Sequence, residues 1–244
     1  MAIKNRETLK NYFKKGGVAT EKHFIDLVES SMNLIDDGIS MSTKTGLKIN
    51  PIGASSRLMS FFKKNSQKEP EFTIDLNKNG EGLSYQGDSD KSILKLNKEG
   101  KVGVNTNSPE YELDVNGTIG IKNRVGTYKK GSVDANGKWQ TIVSSLDGIM
   151  AFEIVAKISG KIKSGNYCIA HAIALSTFGG KASKSNIKTN NAYFGSYKNK
   201  VKLQWTGDLH NYQLQIKSLK DWGINNETKE SFKINFNITS LLES

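Results

Sequence analysis

Three rhythms of apolar and polar positions follow one another along this chain. Over the first fifty residues the rhythm is helical. Residues 6 to 15, RETLKNYFKK, predict a short helix stopped by Gly16 and Gly17, and Thr20 offers an N-cap for a second helix running to about Asp37. In that second segment Phe24, Leu27, Val28, Ser31, Met32, Leu34 and Ile35 recur at three- and four-residue spacing and form one apolar stripe. A stripe on so short a helix needs a partner. A helical cluster between chains or docking on a carrier structure is favoured over packing on its own chain.

From about 70 to 122 the rhythm becomes a repeat. IDLNKNGEGLSY at 74 to 85, LKLNKEGKVGVN at 94 to 105 and LDVNGTIGIK at 113 to 122 share one plan: alternating apolar residues, an Asn, a Gly-containing turn, then more alternation. Asn77, Asn97 and Asn116 coincide in it, as do Gly80, Gly100 and Gly117. A period of about twenty residues signals stacked supersecondary units, and each unit reads as a β-hairpin because Asn and Gly tolerate the positive φ of a tight turn. An isolated hairpin is marginal in water. Three copies around a threefold axis would give these small apolar faces a shared core, the logic of a fibrous β stem; the alternative is a small monomeric meander packed on the next domain.

From Gly126 onward the pattern predicts seven strands: 139 to 144, 151 to 159, 167 to 177, 186 to 194, 200 to 206, 211 to 218 and 232 to 239. Phe152, Ile154, Ala156 and Ile158 face one way, as do Val201, Leu203 and Trp205, then Tyr212, Leu214 and Ile216, then Phe232, Ile234, Phe236 and Ile238. Short alternating strands with polar turns predict an antiparallel β-sandwich. YCIAHAIALST is apolar on both faces, with Ala170, Ala172 and Ala174, which suits a central strand or one touching a neighbouring subunit. The expected fold is therefore mainly β, in three segments: helices over 1–50, a hairpin-repeat stem over 51–125 and a sandwich head over 126–244.

Composition and charge sharpen this picture. An apolar fraction of 36% over 244 residues is low for a single globule and favours a segmented molecule. The net charge of +11 rests on 32 Lys and only 3 Arg, and since bidentate reading of phosphate and guanine favours the Arg fork, nucleic acid is not the expected partner. Between Glu153 and Asp208 stand nine Lys and no acidic residue, which predicts a cationic face on the second half. No apolar run is long enough to span a membrane, and the start MAIKNRETLK lacks a signal-peptide core, so synthesis in the cytoplasm and no membrane insertion are expected.

Candidate chemistry is sparse. Cys168 and His171 lie three apart in a predicted strand and must point to opposite faces, so they make no nucleophile and base pair. His23, His171 and His210 are too far apart to suggest a metal site, and eight acidic residues in the second half leave few pairs for glycoside hydrolysis. The expectation is a binding protein without catalytic residue, metal or cofactor. Its candidate binding residues lie in loops: His210 and Asn211 in TGDLHNY, Asp221, Trp222, Asn225 and Asn226 in LKDWGINNE, and Tyr193, Tyr197, Lys198 and Lys200 in NNAYFGSYKNK. Trp222 could cover the apolar face of a sugar while Asp221, Asn225 or Asn226 bonds its hydroxyls. Equally, Trp222 could plug the end of the sandwich and His210 cap a turn.

One stretch adds a resemblance. KVGVNTNSPEYELDVNG resembles the V-G-[IV]-x-T-x-x-P-x-x-x-L-D-V-x-G stem motif of bacteriophage tail fibres and related receptor-binding fibres, with Val102, Gly103, Val104, Thr106, Pro109, Leu113, Asp114, Val115 and Gly117 at the matching positions. The opening NYFKKGGVATEKHFIDLVESSMNLIDDGIS resembles the leader of fibre proteins on phage-like contractile injection systems. The resemblance implies a homotrimer held at its N-terminal region by a baseplate or tail protein, working on a virion or an extracellular phage-like particle and attaching it to a cell-surface receptor, with a glycan as the expected ligand. A polysaccharide-degrading enzyme of tailspike type and a free lectin-like module are the rivals. Self-cleavage, found in chaperone domains behind many such stems, has no sign here.

Overall fold

The computed structural model describes residues 4–33, 36–77, 82–87, 92–161 and 165–242. The protein is mainly β, with 47% of residues in strands and 8% in two helices. It divides into two compact units, Met1–Gly120 and Ile121–Ser244.

The first unit opens with α1 (Arg6–Tyr12) and α2 (Glu21–Glu29). Asn5 caps α1 by accepting from the Thr8 N–H, and the Thr20 N–H donates to Nδ1 of His23 at the start of α2. The helices meet through stacked Tyr12 and His23 rings, and the Tyr12 hydroxyl donates to buried Asp26 at 3.0 Å. Both helices are shorter than the apolar spacing suggests. At the end of α2 the hydroxyls of Ser30 and Ser31 donate to the carbonyls of Asp26 and Leu27 and so close its last turn. Phe24, Leu27, Val28 and Met32 of the stripe stay exposed, and Leu34 and Ile35 lie outside the described residues. The first fifty residues are also not wholly helical. β1 (Ile39–Ser42) and β2 (Gly46–Ile49) form an antiparallel hairpin whose turn is tied by Ser42 and Thr45, with Gly46 at φ 65°.

The repeat region and the strand before it fold as one six-stranded sheet, β3 (Arg57–Phe61), β4 (Phe72–Leu76), β5 (Gly82–Gln86), β6 (Ser92–Asn97), β7 (Val102–Val104) and β8 (Leu113–Val115), each paired with the next. The first two repeats are hairpins, β4 with β5 and β6 with β7. Asn97 turns the second by accepting from the Lys101 N–H at 2.8 Å, with Gly100 at φ 86°; Gly80, its counterpart in the first, lies outside the described residues. The third repeat departs from the plan. β8 pairs with β7 in parallel, and residues after Asn116 add no partner strand. In the connection between β7 and β8, residues 105–109 fold back over β7, where a Cβ on Gly103 would stand 2.9 Å from the Thr106 carbonyl oxygen and 3.5 Å from the Pro109 ring. Asp114 then accepts from the Glu110 N–H at 2.9 Å. Several motif residues therefore have local structural roles.

Register aligns the apolar residues of this sheet into two ladders. Met59, Ile74, Tyr85, Leu94, Val104 and Val115 follow one another across all six strands, and Leu76, Leu83, Leu96, Val102 and Leu113 across five. The opposite face carries Arg57, Asp75, Ser84, Lys95, Gly103 and Asp114. Burial runs against the usual sense. Thr73, Asp75 and Ser84 are buried, whereas Leu76, Leu94, Leu96 and Leu113 keep 40%, 38%, 41% and 60% of their surface open. Among the described residues of the first unit no Ala, Val, Leu, Ile, Met or aromatic side chain is buried, and Pro109 is the one buried apolar ring.

The second unit is the reverse. Five strands in the order β13 (Asn186–Tyr193), β12 (Tyr167–Thr177), β11 (Ile149–Ser159), β16 (Lys233–Ser240), β9 (Lys129–Asp134) and three in the order β10 (Gln140–Leu146), β15 (Asn211–Ser218), β14 (Val201–Asp208) make two antiparallel sheets. One core joins them: Phe152, Ile154, Ala156 and Ile158, Ala170, Ala172 and Ala174, and Ile234, Phe236 and Ile238 from the larger sheet meet Val143, Val201, Leu214 and Ile216 from the smaller. Each predicted strand forms, with ends shifted by a few residues. β9, KKGSVD, went unpredicted because two Lys and a Gly mask its alternation; it is an edge strand, where side chains face solvent. β12 is an interior strand with its alanines against the core, yet Ile169 and Leu175 on its outer face are about half open.

Candidate functional site

Strand direction decides which loops of the second unit can act together. β15 has eight residues, so its ends stand about 25 Å apart at a rise of about 3.3 Å each. His210 and Asn211 lie at one end, in the β14–β15 turn, whereas the loop with Asp221, Trp222, Asn225 and Asn226 leaves the other. There it meets the β13–β14 connection: the Leu219 N–H donates to the Lys200 carbonyl at 2.9 Å. Eight of the ten candidate binding residues therefore gather at one end, and two stand apart.

At the gathered end Trp222 packs against the core, its backbone N–H donates to the Ala135 carbonyl at 2.8 Å, and the Lys220 ammonium lies 5.2 Å from its ring centroid. Its indole nitrogen is buried without a hydrogen-bond partner. Asp221 accepts from the Gly223 N–H at 2.8 Å and Asn225 from the Glu227 N–H at 3.0 Å, so each has one oxygen committed to its own loop. Asn226 is exposed. In the neighbouring connection the Lys200 ammonium lies 5.0 Å from the centroid of the half-open Tyr193 ring, and Tyr197 and Lys198 face solvent. Buried Asn199 holds this loop through a 2.6 Å bond to the Phe194 carbonyl, a role the sequence did not disclose. Tyr167, Ile169, Tyr193 and Phe194 line an apolar hollow of about 430 Å³ beside it.

At the opposite end Nδ1 of His210 lies 3.1 and 3.2 Å from the two Asp147 carboxylate oxygens, and its ring meets the edge of Phe178 at 4.3 Å. Asn211 pairs with Asp208 across the turn. The same end holds a second concavity, about 340 Å³, between the edge strands β13 and β14. Ser176, Ser183, Ser185, Trp205, Thr206 and Tyr212 are among its lining residues. In the sequence Trp205 reads as one more inward residue of an alternating strand, and the serines as loop; only pairing brings the two edges together.

The acid-free Lys run makes no single cationic face. Lys157 and Lys188 project from the outer side of the larger sheet, whereas Lys202 projects from the outer side of the smaller, because one stretch of chain feeds both sheets. Cys168 faces the core and His171 the outside, where Nε2 lies 2.9 Å from Glu153, which Arg124 also contacts. Burial pushes the Cys168 thiol and the Tyr212 phenol above their ordinary pKa values, opposed at Cys168 by a hydrogen bond from the Val201 backbone and at Tyr212 by one with Ser176. Among the described residues no three His, Cys, Asp or Glu side chains are grouped as a metal ion would need, and no helix is long and apolar enough to cross a membrane.

No protein-family model matches the chain, and no curated protein matches it.

Proposed function

We propose that this chain is one subunit of a homotrimeric receptor-binding fibre of phage type, in which the first unit forms the attachment end and stem and the second is a β-sandwich head that recognises a cell-surface glycan. The observation that carries the reading is the pair of apolar ladders on β3 to β8, of which no residue is fully buried among the described residues. A sheet face of this kind, repeated over five or six strands, needs an apolar partner to be stable in water. Three copies about one axis supply that partner and leave the polar face, with Asp75 and Ser84, to each chain's own hydrogen bonds. The motif over Val102–Gly117 supports the same arrangement. The exposed stripe of α2 fits docking on a baseplate or tail protein of the particle.

The second unit has its own core and so serves as a rigid scaffold for loops at both ends. No reaction belongs to this function. Each head binds its glycan weakly, and three on one stem gain avidity through effective concentration. The preponderance of Lys over Arg in the sequence fits attraction to anionic surface polymers better than reading of nucleic acid.

Two measurements test the proposal. Light scattering at micromolar concentration is expected to give three times the chain mass of 26.9 kDa. Fluorescently labelled residues 121–244 are expected to bind cells of a bacterial strain panel that the full chain binds, whereas residues 1–120 do not. A monomeric mass removes the stem, and binding that persists without residues 121–244 removes the head.

A further inference from the structure

We infer that the cleft between β13 and β14 is a binding site for an uncharged saccharide. The inference deepens the glycan-binding reading above, on which its biological meaning rests, and assigns the contact to residues other than the loop aromatics at the far end of the unit.

The lining of the cleft selects the ligand class. Ser176, Gly179, Gly180, Ser183, Ser185, Ile187 and the β14 segment from Leu203 to Gly207, with Tyr212, carry no charged side chain, in a protein whose formal net charge is +11. A charged ligand would meet no counter-ion there and would lose its hydration, so the site selects against ions. Its polar groups are instead a chain of hydroxyls. Ser176 and Ser185 lie 2.7 Å apart, and Ser185 and Ser183 2.8 Å. Each hydroxyl is both donor and acceptor, and linked hydroxyls polarise one another, which matches the donor and acceptor character of sugar hydroxyl groups.

Aromatic surface completes the match. Trp205 lines the cleft, meets Tyr212 edge-on at 5.6 Å and approaches Phe152 at 6.1 Å, so its ring is held firmly. Its indole nitrogen is buried without a hydrogen-bond partner, so what Trp205 offers a ligand is ring surface and not its N–H. A pyranose presents an apolar C–H face and a hydroxyl rim, and an aromatic ring beside linked serines offers the complement of both. The volume, about 340 Å³, lies at the small end of the range for such sites, roughly 300 to 1,000 Å³.

The backbone keeps the wall thin. Gly179 and Gly207 adopt φ of 75° and 108°, and a Cβ on either would come within 2.8 Å of Tyr212. The loop after β12 can therefore approach Tyr212 only with glycine there.

The test uses the full chain and a panel of glucose, galactose, mannose and N-acetylglucosamine, with glucuronic acid as the charged counterpart, read by saturation-transfer NMR and titration calorimetry at millimolar concentration. At least one neutral sugar is expected to bind more tightly than glucuronic acid. Ser185→Ala, and Trp205→Phe, which reduces the aromatic surface lining the cleft, are each expected to weaken that binding about tenfold, whereas Lys157→Ala, on the outer side of the larger sheet, leaves it unchanged. Should Trp205→Phe fail to fold, Ser185→Ala and Thr206→Val decide. No binding by any neutral sugar, or equal binding by parent and cleft variants, overturns the site. Cell attachment separates this from the wider reading: attachment unchanged in Ser185→Ala removes the cleft as the receptor contact and leaves the head standing, and sugar binding by a protein that attaches to no cell keeps the cleft and removes the adhesin.

Discussion

Leu96 stands directly opposite Val102 on neighbouring antiparallel strands, and Val102 in turn stands opposite Leu113 on a parallel one. A cross-strand apolar row of this kind stabilises a sheet by only about 0.2 to 1 kcal/mol per pair while its outer side faces water. Most of its stabilising capacity is realised when another surface covers it.

The stem ladders give the first prediction. Leu113→Ser with Val115→Ser is expected to dissociate the proposed trimer, at about 2 kcal/mol or more for each apolar side chain truncated, while the second unit keeps its near-ultraviolet circular dichroism. Mass by light scattering checks it, and an unchanged trimer would mean that these side chains face water in the assembly.

Gly103→Ala tests the cover over β7. The added methyl would lie 2.9 Å from the Thr106 carbonyl oxygen and 3.0 Å from its methyl group, both on a segment tied back by Asn107 to the Ser92 N–H. A loss of about 1 to 3 kcal/mol is expected, seen as faster proteolysis between residues 105 and 112.

Asn199→Ala removes the clamp on the β13–β14 connection. The Phe194 carbonyl is then left without its donor, for an expected cost of about 1 to 3 kcal/mol. Amide exchange over residues 194 to 200 should quicken while β12 stays protected.

Alkaline pH separates the two buried acids. The thiol of Cys168 and the phenol of Tyr212 are held above their ordinary values of 9.0 and 10.0 chiefly by burial. Each bears its proton longer folded than unfolded, so its contribution is complete below the unfolded value and declines as pH rises from there toward the folded value. Melting temperature is expected to fall from about pH 9 upward, and in Cys168→Ala the decline should begin nearer pH 10. The difference between parent and variant, measured by calorimetry across this range, cancels the effects of the remaining charges.

Much of the second unit was legible because period-two alternation directly reports a strand buried on one side. Phe152 to Ile158 and Tyr212 to Ile216 alternate in sequence and are buried as they alternate. β9 was hidden because an edge strand has no need to alternate. Helix ends and the turn at Ser42–Thr45 were illegible for a related reason: single hydroxyl bonds set them, and spacing carries no trace of such bonds. In the first unit the sequence determined the first two repeats, the Asn97–Gly100 turn and the apolar rows, since all of these depend on neighbours close along the chain. That the third repeat closes no hairpin, and that β8 lies parallel to β7 instead, shows only in the tertiary structure. The cleft lay furthest from view. Ser185 and Trp205 are twenty positions apart, one beside β13 and the other on β14, at the edges of two different sheets. Only the closing of both sheets over one core sets them on the walls of the same cavity.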